Sequence, residues 1–241
     1  MIGKWLGKLI GAAREAQFSD IEPWQREIVS KVRPFSMTSA ERLLATINAV
    51  QYIVKADIPG AIVECGVWRG GQMMAAALVL KELGVERELV LFDTFQGMTE
   101  PGERDRDIAG AEASKIFRAH SHRKQGEGWC EASLEDVRTN MASTGYTAAR
   151  IHYVKGPVED TIPLRAPVAI ALLRLDTDWY ASTLHEFTHL YPRVSPRGVV
   201  AVDDYGHWQG ARQAADEYLA EHGITVLLER VDYTCRQFIK P

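Results

Sequence analysis

Two hydrophobic rhythms alternate along the chain. Short runs rich in apolar residues occur at "AIVECGV" (61–67), "ELVLFDTF" (88–95), "RIHYVKG" (150–156), "VAIALLRLD" (168–176) and "GVVAVDD" (198–204). Compact apolar runs of this kind are what strands buried on both faces require. Between them the apolar residues recur with a helical period. "TSAERLLATINAVQYIVK" (38–55) places Leu43, Leu44, Ile47, Val50 and Val54 on one stripe, and Thr38 and Glu41 are spaced as a capping box. "GQMMAAALVLKEL", "SLEDVRTNMAS", "STLHEFTHLYP" and "ARQAADEYLAEHG" read as further helices, the last stopped by Gly223. The alternation predicts an α/β fold, a mostly parallel doubly wound sheet with helices on both faces. The closing runs "ITVLLER" and "CRQFIK" lie too close together for a helical crossover, so they predict an antiparallel hairpin at the carboxyl end.

Residues 96–131 break this rhythm. "MTEPGERDRD" and "HSHRKQGEGW" are polar and charged, and flank a short predicted helix around 109–119. A long insertion after a strand is usually a functional loop or lid, against the plainer reading of a surface excursion. The composition adds exclusions. With 241 residues, 46% hydrophobic and 25% charged, the chain has ordinary globular content, and its net charge of −4 speaks against a nucleic-acid binder. No apolar run is long enough to span a bilayer. The basic, partly apolar start "MIGKWLGKLIGAAREAQ" reads as an amphipathic helix rather than a signal peptide, covering the core or pairing subunits in preference to touching a membrane. Cys65, Cys130 and Cys235 are widely spaced and odd in number, which predicts reduced thiols in a cytoplasmic protein.

In open α/β sheets, ligands bind beyond the carboxyl ends of the strands. Four of these ends are polar here. "ECGVWRGG" offers Glu64 beside a turn at Gly66 and a helix start at Gly70 and Gly71. The spacing is not that of a dinucleotide-binding loop, and a carboxylate there disfavours pyrophosphate while suiting a cationic amino group. Asp93 ends the next strand, about 20 residues past the glycines, where an acid commonly accepts hydrogen bonds from ribose hydroxyls. Amino acid plus ribose suggests S-adenosylmethionine (SAM). Asp176 and the pair Asp203–Asp204 end strands separated by one helix. Carboxylates gathered at one rim repel one another unless a cation joins them, and three oxygen donors suit Mg2+ with about six ligands in all. Asp178 reads as the N-cap of the following helix, ahead of a base in the site. His207 is a candidate general base or an ordinary surface histidine. His185 and His189, four apart without a third ligand, read as a solvated face.

"VRPFSMTSAERL", "AIVECGVWRGG", "LFDTFQGM", "LLRLDTDWYAST" and "YPRVSPRGVVAVDDYGHWQGARQAADEY" together closely resemble the macrocin O-methyltransferase (TylF-type) family, over nearly all the chain after residue 25. The resemblance implies a Rossmann-like class I SAM-dependent methyltransferase sheet over 38–241, preceded by a helical, lid-forming segment at 1–37. It implies O-methylation, with Mg2+, of a hydroxyl on a deoxysugar of an antibiotic or other secondary metabolite, in a homo-oligomer. Carried over by motif, Met37, Thr38, Glu64, Gly66, Val67, Gly70, Gly71, Asp93, Thr94, Gly156 and Asp176 would hold SAM. Asp176, Asp203 and Asp204 would bind the metal, and Asp176, Asp178 and His207 are the catalytic candidates. Gln72 stands where the family often has serine, and Thr177 where it often has glycine; neither removes a ligand. Competing readings are a phenolic or carboxylate acceptor, a NAD-dependent oxidoreductase (disfavoured by the glycine spacing and Glu64) and a non-catalytic SAM-binding protein.

Overall fold

Strands as apolar as "AIVEC" and "IALLRL" need cover on both sides, and the computed structural model, which describes residues 20–121 and 128–241, supplies it. The strands are β1 (Ala61–Cys65), β2 (Leu89–Asp93), β3 (Ile151–Lys155), β4 (Ile170–Leu175), β5 (Val194–Val202), β6 (Glu229–Arg230) and β7 (Arg236–Ile239). They form one sheet in the order β3-β2-β1-β4-β5-β7-β6. β1 to β5 pair in parallel, and β7 lies antiparallel between β5 and β6. This is the predicted doubly wound architecture with its antiparallel end.

One face of the sheet carries α1 (Pro23–Val32), α2 (Ala40–Lys55), α3 (Gly71–Glu82) and α5 (Leu134–Ser143). The other carries α6 (Val158–Thr161), α7 (Tyr180–Leu190) and α8 (Gln209–Glu221). α4 (Ala113–Ser121) belongs to the insertion. Alternation along β1 and β2 divides the core: Ile62, Leu89 and Leu91 pack with the first group, and Val63, Val90 and Phe92 with the second. α1 adds Ile28 and Val32 to the first cluster, so residues 23–32 share a core with α2 and α3. Among the described residues no helix is long and apolar enough to cross a membrane. The amphipathic helix read at the amino terminus lies outside the described residues.

Three local expectations are corrected. α2 is capped by Ser39, whose side chain accepts from the Arg42 amide, and not by Thr38, whose hydroxyl is engaged by Ser36 and Gln72. "ITVLLER" pairs only at Glu229–Arg230, because β6 sits at the edge beyond β7 and Leu227, 86% exposed, has no second layer to pack against. The helix in the insertion starts at Ala113, later than expected.

Candidate active site

Neighbouring parallel strands stay in register to their carboxyl ends, and that brings the polar residues into a row. The Gly66 amide donates to Phe92 O (2.8 Å), Asp176 N to Cys65 O (2.9 Å), Asp203 N to Leu175 O (2.9 Å) and Gly156 N to Asp93 O (3.0 Å). Gly66, at φ +80°, is required by this row: a Cβ there would meet the Asp176 carbonyl oxygen at 1.9 Å. Above the row lies a cavity of about 450 Å³, a size suited to a small-molecule site. Of the residues expected from the sequence, Met37, Thr38, Glu64, Gly66, Val67, Gly71, Asp93, Thr94, Gly156, Asp176, Asp178, Asp203, Asp204 and His207 line it. Gly70 does not; at φ +86° it begins α3, and a Cβ there would face Val137.

On the cofactor side the loop is organised by Asp93. One carboxylate oxygen accepts from the Val67 (2.7 Å) and Trp68 (3.1 Å) amides, and the other from Phe95 N (2.6 Å). The strand-end acid therefore ties the glycine loop to its own turn, while facing the cavity. Burial raises its pKa, partly offset by those amides. Gly71 allows close approach, but of the chain itself: a Cβ there would sit 2.5 Å from Phe35 O. Segment 36–38 closes over the site through Gln72, whose side-chain amide donates to Thr38 Oγ1 (2.8 Å). The buried Oε2 of Glu64 and Oε1 of Gln72 accept no hydrogen bond from the described residues. Two buried acceptors without donors fit a ligand that brings N–H groups, as the ammonium of SAM would.

On the other side three aspartates converge, with a fourth, Asp203, next to them. Among the described residues, Asp176, Asp178 and Asp204 each offer an oxygen within 4.8 Å of the others. Asp204 Oδ2 is buried with no hydrogen-bond partner. Burial, then mutual repulsion, drives the pKa of Asp176 and Asp204 well above the carboxylate range and that of Asp178 up to about 7. A cluster so short of positive charge fits a divalent cation. Asp203 is turned away from it: Oδ1 accepts from Arg174 (2.7 Å), and Oδ2 is ion-paired with Arg42. The geometric cluster thus shares Asp176 and Asp204 with the set read from the sequence and has Asp178 where that set has Asp203. Asp178 is not the cap of α7. The Tyr180 amide at the helix start donates instead to Asp105 Oδ1 (2.8 Å), from the insertion, which leaves Asp178 in the cluster at φ +68° with Trp208 Nε1 donating to it (3.1 Å). Likewise neither Asp203 nor Asp204 caps a helix by its side chain.

Two arginines complete the charge network. Arg174, 2% exposed, stands opposite Glu64 in the β1–β4 register and donates to Glu64 (2.9 Å), Asp176 (3.2 Å) and Asp203 (2.7 Å). It joins the cofactor side to the acidic cluster. Glu64 is pushed up to about 7 by burial despite that partner. Arg42, from α2, adds Asp232 at 2.9 Å. The sequence reading named neither arginine, although a lone basic residue inside the apolar run "ALLRLD" is a readable signal of a buried ion pair. His207 Nδ1 lies 2.6 Å from Tyr233 Oη. The rings of His185 and His189 meet tilted, with centroids 4.4 Å apart, and His185 Nε2 lies on Ile162 O, outside the cavity. The three cysteines are free.

Comparison with known proteins identifies the family. A family model described as macrocin-O-methyltransferase (TylF) matches residues 14–240. The chain is 32% identical, over 83% of its length and 73% of the relative's, to an 8-demethyl-8-(2,3-dimethoxy-alpha-L-rhamnosyl)-tetracenomycin-C 4'-O-methyltransferase of Streptomyces olivaceus. It is 31% identical, over 82% of its length and 75% of the relative's, to a mycinamicin III 3''-O-methyltransferase of Micromonospora griseorubida. Among solved structures, that of the O-methyltransferase NovP superposes with a TM-score of 0.75 at 31% identity, covering 86% of this chain and 82% of that one. A seven-stranded sheet of this order, a cavity at its carboxyl rim, and a match over nearly the whole length lead to one conclusion: the chain belongs to the macrocin-O-methyltransferase (TylF) family of SAM-dependent O-methyltransferases.

Proposed function

We propose that the protein moves the methyl group of SAM to a deoxysugar hydroxyl on a glycosylated secondary metabolite, in a site that also holds Mg2+. The observation that carries this reading is the single cavity wall on which Glu64, Gly66 and Asp93 stand beside Asp176, Asp178 and Asp204. Glu64 and Gln72, beside the glycine loop, would receive the ammonium of SAM. Arg174 keeps Glu64 and Asp176 at fixed separation. Asp178, in the same cluster and fixed by the Trp208 indole, takes the acceptor proton. Asp176 and Asp204, with Asp178 or Asp203 as the third carboxylate, would hold the cation. Bound there, Mg2+ would lower the pKa of a hydroxyl and orient it. Alignment of a hydroxyl with the methyl group accounts for up to ~7–11 kcal/mol of barrier reduction in well-oriented reactions.

Charge supports an uncharged acceptor. Among the described lining residues, seven are Asp or Glu, and the arginine, Arg42, is already held by Asp203 and Asp232. A carboxylate acceptor would meet this acidic wall at a cost. A phenol is the second reading, since the indoles of Trp129 and Trp208 in the same cavity would accept either kind of ring.

Methyl transfer to a panel of glycosides and phenols, with and without EDTA, tests the proposal. Loss of activity in EDTA and its return with Mg2+ is the expected result; full activity in EDTA removes the cation. Calorimetry with Mg2+ then separates the two ligand sets. Asp204→Asn should abolish binding. If Asp203→Asn keeps it and Asp178→Asn loses it, the third carboxylate is Asp178; the opposite pattern makes it Asp203.

A further inference from the structure

Three indoles meet above the acidic cluster. Trp179 comes from the start of α7, Trp208 from the start of α8 and Trp129 from the end of the insertion. Their ring centroids lie 5.1 Å (Trp179–Trp208), 5.5 Å (Trp129–Trp179) and 6.0 Å (Trp129–Trp208) apart. They are not equivalent. Trp179 is 2% exposed, donates to Thr99 O (3.0 Å) and does not reach the cavity; it is the support. Trp208 is 4% exposed and fixed by its bond to Asp178. Trp129 is half-buried and lines the cavity beside Trp208. Its carbonyl accepts from Met98 N (3.1 Å), so the two ends of the insertion are stapled together beneath the ring.

We propose that Trp129 and Trp208 are the platform for the sugar ring that carries the reacting hydroxyl, and that Trp129 determines acceptor affinity. The inference rests on the function proposed above and deepens it. Trp208 Nε1 donates to Asp178 in the acidic cluster, so a ring lying on Trp208 has its edge beside those carboxylates. A deoxysugar has a polar edge and an apolar C–H face. The platform offers the complementary pair: indole faces for the C–H groups, and the carboxylates beside them for the hydroxyl. Immobile, buried supports give such a platform its affinity at low entropic cost. Because Trp208 also holds Asp178, its replacement would disturb the acidic cluster; among the described residues Trp129 makes no such bond and isolates the platform.

Saturation-transfer NMR on the full chain with S-adenosylhomocysteine and Mg2+ tests this, with methyl α-L-rhamnopyranoside and catechol as probes. The wild type should transfer saturation mainly to the rhamnoside ring C–H protons. Trp129→Ala should weaken rhamnoside binding by about tenfold, in the range of an aromatic contact, while Trp129→Phe recovers most of it. Affinity for S-adenosylhomocysteine, read by calorimetry, should stay within about twofold and so reports that each variant is folded. Rhamnoside binding unchanged in Trp129→Ala overturns the platform alone and leaves the proposed function standing. A wild type that binds and methylates catechol but takes up no rhamnoside overturns both.

Discussion

At the scale of single residues, the site is a set of acids whose charge the fold leaves incompletely answered. Glu186 is an instance outside the cavity. It is fully buried on α7, accepts from Thr177 Oγ1 at 2.9 Å, and its second oxygen has no partner. Burial, with Glu159 adding, pushes its pKa up to about 8. In the unfolded chain a glutamate ionises near 4.3 (about its usual value), so folding takes up a proton between these values. The sign follows: this contribution to stability is complete at low pH and falls as pH rises from about 4 to about 8, then levels. Glu186→Gln keeps an acceptor for Thr177 and removes the titration. Its advantage over wild type in denaturant unfolding should grow across that window by up to ~1.4 kcal/mol per pH unit; a difference constant in pH would refute the assignment. The four strand-end aspartates and Glu64 were legible from sequence because a carboxylate finishing an apolar run is conspicuous. Asp105 was not, since nothing in "PGERDRD" separates it from its charged neighbours.

At the scale of elements, the insertion is built into the molecule. Asp105, 3% exposed, accepts from Gly102 N (2.7 Å) and from the first amide of α7. Gln209, at the start of α8, donates its amide to Arg106 O and its side chain to Asp107 O. The loop thus caps the two helices whose starts carry Trp179 and Trp208. Its length and charge, read from the sequence, favoured a functional loop over a surface excursion but named no partners, which only the structure supplies. Asp105→Ala leaves two amides without their acceptor, at ~1–3 kcal/mol for a buried group. We expect a lowered melting temperature and a raised KM for the sugar acceptor, with SAM affinity held. A KM shift for SAM alone would mean that the insertion serves the cofactor instead. The capping of α2 was misplaced by one residue for a similar reason. Thr38 and Ser39 are equally good caps in isolation, and Gln72, from another helix, claims Thr38.

At the scale of the whole molecule, the parallel sheet gathers residues far apart in sequence into one rim, and the gathering has an electrostatic cost that ligands can relieve. Mg2+ added to the apo protein at neutral pH should therefore raise its melting temperature. At about 100 times Kd the linkage contributes ~2.7 kcal/mol, and Asp204→Asn should lose the effect. A melting temperature indifferent to Mg2+ would count against the cation site independently of any activity measurement.

The sequence by itself determined the order of strands and helices, the antiparallel end and the acids at the carboxyl rim. These follow from burial periodicity and from the handed, short connections of an α/β chain, both local in origin. Only the tertiary structure decided what each acid faces. Asp203 meets Arg42 across 161 positions, Asp178 meets Trp208 across 30, and Tyr180 takes its cap from Asp105 across 75. A carboxylate's role is set by which donors share its low-dielectric surroundings, and those donors are chosen by packing between elements rather than by the residues beside it in the chain.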